Sequence, residues 1–319
     1  MELKPEIEER LKKLEEKYQA MGQDLVSYLD GLLYADYLTY WDYIKIDTLL
    51  SLQSPKTNLP DEQVFIIYHQ ITELYFKLVL LEMEQIANKE NLKIDFFAER
   101  LLRMNRYFEN LTQSFDIMVD GMEKDQFLKY RMTLLPASGF QSAQYRFIEI
   151  GSTDFIRLVD KDIRDNFNGQ STIEEMYDNI YWKKGSIELS TGKKTLTLEQ
   201  FEQKYAEQFK QMGDDYQNKN LWALYKNLSE EDQKNEAIID GLRKFDTNVN
   251  VNWPLIHYKS AVRYLQQKSE VIAATGGTNW QEYLPPRFQK RVFYPELWTN
   301  KEMEEWGKGF VEKELLGIN

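Results

Sequence analysis

Residues 62–88 form the most apolar stretch of the chain, and they carry apolar side chains on nearly every face of the helix that their spacing predicts. A helix without a polar face has to be covered by other elements, so we expect a central, buried helix. Further helical patterns surround it, at residues 4–30, 39–54, 93–120, 199–212 and 229–245. The sequence therefore predicts an all-α fold with a single large helical domain over residues 1–319.

One segment departs from the helical pattern. Residues 186–198 alternate with a period of two around a turn that contains Gly192. Such alternation on both sides of a glycine turn is typical of a β-hairpin. We expect a small hairpin insertion at 186–198 in an otherwise helical domain.

Composition excludes several classes of function. The chain has no cysteine, which rules out disulfides, cysteine-ligated zinc, iron–sulfur clusters, thiolate-ligated haem and thiol nucleophiles. Its net charge is −12, and an acidic surface repels both phosphate backbones and anionic lipid. We therefore expect neither a nucleic acid nor a membrane among its partners.

The expected location is the cytoplasm. Residues 1–19 are charged throughout and lack the apolar core of a secretory signal. Residues 64–83 are apolar but are interrupted by ionisable side chains such as His69 and Lys77, which makes them a poor bilayer span. A soluble protein is the interpretation that these features favour.

The chain has only two histidines, His69 and His257. His69 lies inside the apolar helix, with Phe65 four residues earlier on the same face. His257 lies on a helix that Pro254 can open, one turn after Trp253. Each could be a core histidine bonded to a backbone carbonyl, or a ligand of a metal or haem iron in a shared cavity. Spacing leaves both interpretations open.

Other candidate residues also allow two interpretations. Arg131 could be a surface arginine or could clamp a carboxylate, since a guanidinium offers two parallel donors. Thr275 begins a Gly-rich loop and could cap a turn or bind polar groups of a ligand. Tyr40 and Tyr43 share a helix face that is more often core or interface than a ligand pocket.

Several blocks of residues follow one another in an order that resembles a known family. These blocks are Tyr40-x-x-Tyr43, residues 49–53 (LLSLQ), residues 65–70 (FIIYHQ), residues 73–78 (ELYFKL), Phe127-x-x-Tyr130-Arg131, residues 136–142 (PASGFQS), residues 144–146 (QYR), Trp253-x-x-x-His257, residues 275–277 (TGG) and residues 293–297 (FYPEL). Together they resemble the tryptophan 2,3-dioxygenases over residues 38–298.

This resemblance implies a helical haem b enzyme that forms a homotetramer, a dimer of dimers, with the helix in residues 1–30 at a subunit interface. It implies L-tryptophan or a related aromatic amino acid as substrate, with O2 as co-substrate. The implied reaction inserts O2 across the indole C2–C3 bond and gives N-formylkynurenine.

The resemblance also implies roles for residues of the site. His257 matches the axial ligand of the haem iron, and His69 matches the distal histidine that binds the indole N–H. Phe65 matches the aromatic wall behind the substrate ring. Arg131 matches the arginine that pairs with the substrate carboxylate, and Thr275 matches the threonine that receives its amino group.

Other matching residues would line the substrate pocket. Tyr40 and Tyr43 match residues that the family lends across a subunit interface. The remaining pocket residues are Ile66, Ile67, Tyr68, Phe127 and Ser138.

The chain departs from the family pattern at several points, which include Thr278-Asn279-Trp280 after the two glycines and the hairpin at 186–198. Phe127 occupies a position where the family usually has tyrosine, and the chain is longer between His257 and Thr275. These departures leave room for a haem-dependent monooxygenase of the same superfamily that acts on tyrosine or a modified tryptophan. A non-catalytic haem-binding protein is the third alternative.

Overall fold

The computed structural model describes residues 3–35, 38–134, 139–184, 186, 193–265 and 290–307. Within these ranges the chain is helical apart from turns, loops and isolated bridge residues, such as Val159 paired with Ile180. The predicted all-α class is confirmed. Two compact units, residues 1–54 and 55–319, divide the chain.

The described part of the first unit contains four helices. They are α1 (Pro5–Ala20), α2 (Leu25–Leu33), α3 (Tyr40–Tyr43) and α4 (Ile46–Leu50). None of the residues in these helices is buried, although α2 and α3 carry large apolar side chains such as Leu32, Leu33 and Trp41. The described part of this unit therefore has no hydrophobic core of its own.

The second unit contains the hydrophobic core. Its helices are α5 (Pro60–Ala87), α6 (Ile94–Ser114), α7 (Asp116–Val119), α8 (Lys124–Tyr130), α9 (Ala143–Ser152), α10 (Ile173–Asp178), α11 (Tyr181–Lys184), α12 (Leu196–Asp215), α13 (Leu221–Lys226), α14 (Glu236–Thr247), α15 (Trp253–Leu265) and α16 (Asn300–Glu304). Short 3-10 helices lie at Arg131–Leu134, Gly139–Gln141, Phe155–Leu158, Arg164–Asn166, Asp232–Lys234 and Pro295–Leu297, and a π-helical turn at Asn248–Asn252 joins α14 to α15.

Helix α5 crosses the core and packs against α6 and α9. Pro60 fits the first turn, where no N–H is needed, and Asp61 and Glu62 follow at the positive end of the helix dipole. One stripe of the helix remains exposed, with apolar residues spaced three and four apart. The stripe consists of Ile67, Ile71, Leu74, Leu78 and Leu81. The prediction that this helix is covered on every face is wrong for the stripe.

Helix α5 is long and apolar enough to cross a membrane by length and composition, a test that core helices of soluble proteins also pass. Its Glu82 is buried, and the carboxylate lies 3.0 Å from Arg100 and 2.7 Å from Arg103. These ion pairs to α6 and the packing against α9 are those of a core helix.

The predicted hairpin at 186–198 is not seen among the described residues, and residues 187–192 lie outside them. Residues 196–198 belong to α12, so the second strand is wrong there. The Thr195 hydroxyl accepts a hydrogen bond from the Leu198 backbone N–H, which caps the helix and explains the difference. Among the described residues, the Thr195 backbone N–H donates to the Ser186 carbonyl.

Two buried carboxylates anchor the segment at 290–298 to the core. The first is Glu149 on α9, which is bound by Arg146 and Tyr181 at 2.6 Å each and by Arg291. Because buried charges are costly without partners, this cluster fixes Arg291 against α9.

The second carboxylate is Asp246, near the end of α14. It accepts hydrogen bonds from the backbone N–H groups of Phe293 and Tyr294, from the Trp298 indole at 3.0 Å and from Asn250 at 2.8 Å. Burial raises the pKa of Asp246 to about 6 although these four donors favour the charged form. The segment at 290–298 is thus bound to the end of α14, directly before the π-helical turn.

Candidate functional site

His257 lies on α15, one turn after Trp253. Its Nδ1 atom lies 2.9 Å from the Trp253 carbonyl oxygen, so Nδ1 carries the hydrogen and donates it. The lone pair is then on Nε2. Burial lowers the pKa of His257 to about 4, and the ring is neutral at pH 7. A neutral imidazole whose Nδ1–H is held by a carbonyl is the usual form of an iron-ligating histidine.

His69 on α5 is arranged in the same way. Its Nδ1 atom lies 2.8 Å from the Phe65 carbonyl oxygen, and its ring centroid lies 4.0 Å from that of Phe65. His69 is exposed in this chain, yet desolvation by nearby protein atoms lowers its pKa. The Nε2 atom of neutral His69 can therefore accept a hydrogen bond from a ligand.

The structure places the two histidines in the same region of the second unit. Burial is the main cause of the lowered pKa of His257, and a positive charge on His69 contributes to it as a smaller cause. Aromatic rings also connect them: Tyr68, next to His69, lies 5.6 Å from Phe115, and Phe115 lies 4.4 Å from His257.

Further aromatic residues join α5, α8 and α15 around this region. Phe65 contacts Tyr130 at 5.9 Å between centroids, Tyr130 contacts Phe127 at 5.6 Å, and Phe127 contacts Tyr264 at 4.7 Å. The result is an apolar wall that suits a flat aromatic ligand.

Arg131 directly follows Tyr130 in the chain and is 6% exposed. Burial lowers its pKa, but a guanidinium stays charged at neutral pH. A buried cation next to an aromatic wall can bind an anionic group of a ligand.

The remaining predicted site residues lie in different environments. Ile66 is half-buried and Ile67 belongs to the exposed stripe, while Tyr68 is buried and its hydroxyl donates to the Leu111 carbonyl at 3.1 Å. Tyr40 and Tyr43 are 71% and 76% exposed on α3 of the first unit.

Two of the predicted residues, Ser138 and Thr275, lie outside the described residues. Sequence reasoning missed Phe115 and Tyr264 as part of the site. Tyr264 could have been found from its position seven residues after His257, which places both on one face of α15. Phe115 offered no such signal, because only tertiary packing brings it to His257.

Comparison with known proteins gives a family. The family model described as tryptophan 2,3-dioxygenase matches residues 33–274. The tryptophan 2,3-dioxygenase of Bacillus thuringiensis subsp. konkukian is 29% identical over 275 residues, which cover 82% of this chain and 91% of that protein.

Two other relatives align over shorter regions. A tryptophan 2,3-dioxygenase of Ruegeria is 41% identical over 36% of this chain and 42% of that protein. Tryptophan 2,3-dioxygenase 2 of Ralstonia nicotianae is 40% identical over 35% of this chain and 33% of that protein. In these two alignments the chain spans less than half the length of the relative. Since the family model covers most of the chain and includes the helices that carry both histidines, the chain belongs to the tryptophan 2,3-dioxygenase family.

Proposed function

We propose that the protein is a haem-dependent tryptophan 2,3-dioxygenase, which inserts O2 across the indole C2–C3 bond of L-tryptophan to give N-formylkynurenine. One observation carries the proposal. Each of the two histidines of the chain is held by a backbone carbonyl with Nε2 left to bind a ligand. Phe115 links their helices, because it contacts both His257 and Tyr68, the residue before His69.

The donor set fits haem b. His257 is neutral and presents Nε2, and imidazole is a common axial ligand of haem iron. Phe115 and Trp253 pack on its ring and fix its orientation. When bound, haem b supplies the O2 chemistry that side chains lack.

The proposed role of the other residues is to orient the substrate. Nε2 of His69 accepts a hydrogen bond from the indole N–H, and Phe65 packs on the indole ring. Arg131 pairs with the carboxylate. Such positioning lowers the barrier because it holds the reacting bond in place before the reaction begins. The other proposed contacts are Thr275 to the amino group and a pocket lining of Tyr40, Tyr43, Ile66, Ile67, Tyr68, Phe127 and Ser138.

We further propose that the chain functions as one domain over residues 1–319 and as a homotetramer, a dimer of dimers. The exposed stripe on α5 supports this assembly, because apolar residues spaced three and four apart are the pattern by which helices pack against one another. Apolar residues in 1–30 that find no core within the first unit, among them Ile7, Leu14 and Leu29, support a subunit interface at the helix in residues 1–30. The net charge of −12 supports a cytoplasmic protein that binds no nucleic acid and no membrane.

The test is a reaction of the reduced haem protein with tryptophan and O2, followed by the absorbance of N-formylkynurenine. Wild type should show a Soret band and form this product. His257→Ala should lose the ferrous five-coordinate spectrum and regain it with added imidazole, whereas His69→Ala should keep haem. An unchanged spectrum in the His257→Ala variant would show that another group is the iron ligand.

A second candidate is an aromatic monooxygenase, and Phe127 favours it because the family's phenolic hydroxyl is missing from the wall beside Arg131. The product mass distinguishes the two. A dioxygenase adds two oxygen atoms and opens the ring, whereas a monooxygenase adds one and leaves the ring intact. Haem binding without consumption of substrate identifies a non-catalytic haem protein.

A further inference from the structure

The helix that carries His257 is continuous with α14 through the π-helical turn at Asn248–Asn252. In this turn the Trp253 backbone N–H donates to the Asn248 carbonyl, five residues earlier. A π turn holds one more residue than an α turn. Side chains after it are therefore rotated by about 100°, the angle of one residue, from their positions in an unbroken α-helix.

Pro254 leaves one carbonyl of this turn without its backbone donor. The next bond in the pattern would run from residue 254 to the Val249 carbonyl, but proline has no N–H. The Tyr145 hydroxyl on α9 donates to this carbonyl at 2.7 Å. The same hydroxyl also accepts a hydrogen bond from Arg291. A buried side chain thus supplies the donor that the backbone lacks.

Hydrogen bonds between asparagine side chains connect the π-helical turn to α6. The Asn248 amide donates to Asn105 at 3.0 Å, and Asn252 donates to Asn248 at 2.9 Å. Asn105 in turn donates to the Gly241 carbonyl at 2.9 Å. These bonds tie the turn to α6, so its wider geometry is fixed by tertiary contacts.

We propose that Tyr145 is a positioning residue for His257, because its bond to Val249 holds the π-helical turn that sets the direction of the imidazole. The connection is short. The turn ends at Asn252, and the next residue is Trp253, whose carbonyl accepts the Nδ1–H of His257. A change in the turn therefore reorients both the hydrogen bond and the ring that it holds. This inference rests on the proposed haem function and adds to it a residue that touches neither iron nor substrate.

The test compares Tyr145→Phe, which removes only the hydroxyl, with the double variant Tyr145→Phe/Pro254→Ala, which returns a backbone N–H to position 254. Resonance Raman spectra of the ferrous holoprotein report the iron–histidine stretch, and transfer of haem to an apomyoglobin acceptor reports its dissociation. In Tyr145→Phe the stretch should shift or split, and haem should dissociate about tenfold faster. The double variant should restore the wild-type band, since the new N–H replaces the lost donor to Val249 but not the lost contact to Arg291.

Tyr177→Phe is the matched control. Tyr177 is buried, and its hydroxyl has no hydrogen-bond partner among the described residues, so its removal should change neither measurement. A wild-type stretch in Tyr145→Phe, or an altered one in the double variant, would overturn the inference while the dioxygenase proposal stands. If Tyr145→Phe does not fold, the double variant has to recover both folded protein and the wild-type band. Wild type that binds no haem refutes the proposed function itself.

Discussion

Phe65 contacts His69 twice, through its ring at 4.0 Å between centroids and through its carbonyl oxygen at 2.8 Å from Nδ1. One residue thus packs against the imidazole and selects its tautomer. Since Nδ1–H is occupied, Nε2 is an acceptor as long as the ring stays neutral.

The pH dependence of tryptophan oxidation follows from this tautomer. Desolvation by the surrounding protein atoms lowers the pKa of His69 below its usual 6.5 although His69 is exposed. The ring therefore protonates only below that value and then loses its acceptor for the indole N–H. We expect kcat/KM for tryptophan to be flat from about pH 8 to about pH 6.5 and to fall at lower pH. His69→Asn keeps an acceptor that does not titrate and should lack this acid limb. An identical acid limb in the variant would assign the titration to another group.

Arg131 should discriminate between tryptophan and tryptamine, which lacks the carboxylate. Truncation of one partner of a buried charge pair costs about 3 kcal/mol, or about 100-fold in kcat/KM. We expect Arg131→Ala to cause this loss with tryptophan and to have little effect with tryptamine. Arg131→Lys keeps the charge but not the paired donors and should be intermediate. Equal losses with both compounds would indicate a structural role for the arginine.

Phe127→Tyr should improve the binding of tryptophan. The new hydroxyl would stand on the wall between Tyr130 and Tyr264, where the family usually carries it. A hydrogen bond to a charged carboxylate is worth about 1.5 kcal/mol, so KM should fall about tenfold. KM for tryptamine serves as the control and should stay constant. If the product changes from one added oxygen to two, Phe127 determines the reaction rather than the affinity.

The exposed stripe on α5 should control assembly. A charge inside an apolar helix–helix interface is strongly unfavourable, so Leu74→Glu/Leu78→Glu should lower the mass measured by light scattering to that of a smaller assembly. Leu102→Glu introduces the same side chain at an exposed apolar position on α6, away from the stripe, and should leave the mass unchanged. An unchanged mass in the stripe variant would separate the stripe from the subunit interface.

Helical periodicity was sufficient to predict the all-α class and the bounds of α5, because period 3.6 is explicit in its residues. The single helices predicted over 4–30, 39–54 and 93–120 are each divided into two, since periodicity does not mark a short break between helices of similar pattern. It failed at α12, where the Thr195 cap outweighed the alternation of the following residues. It also failed at the exposed stripe of α5. A helix with apolar residues on every face can be buried by its own chain or by another subunit, and the pattern does not distinguish the two.

The candidate site was less accessible to sequence reasoning. The two histidines could be singled out by their rarity, but their tautomers depend on carbonyls that only the folded helices bring to Nδ1. The π-helical turn carries no recognisable periodicity, and the contact between Tyr145 and Val249 joins residues 104 positions apart.

Asp246 obtains three of its four hydrogen-bond donors from residues 293–298. During synthesis on the ribosome, Asp246 is therefore added to the chain before the residues that donate these three hydrogen bonds to it. The nascent chain cannot complete its core until the segment that holds these donors has left the exit tunnel. A protein truncated before residue 290 would contain every residue of α15 and still lack the contacts that close the structure around it.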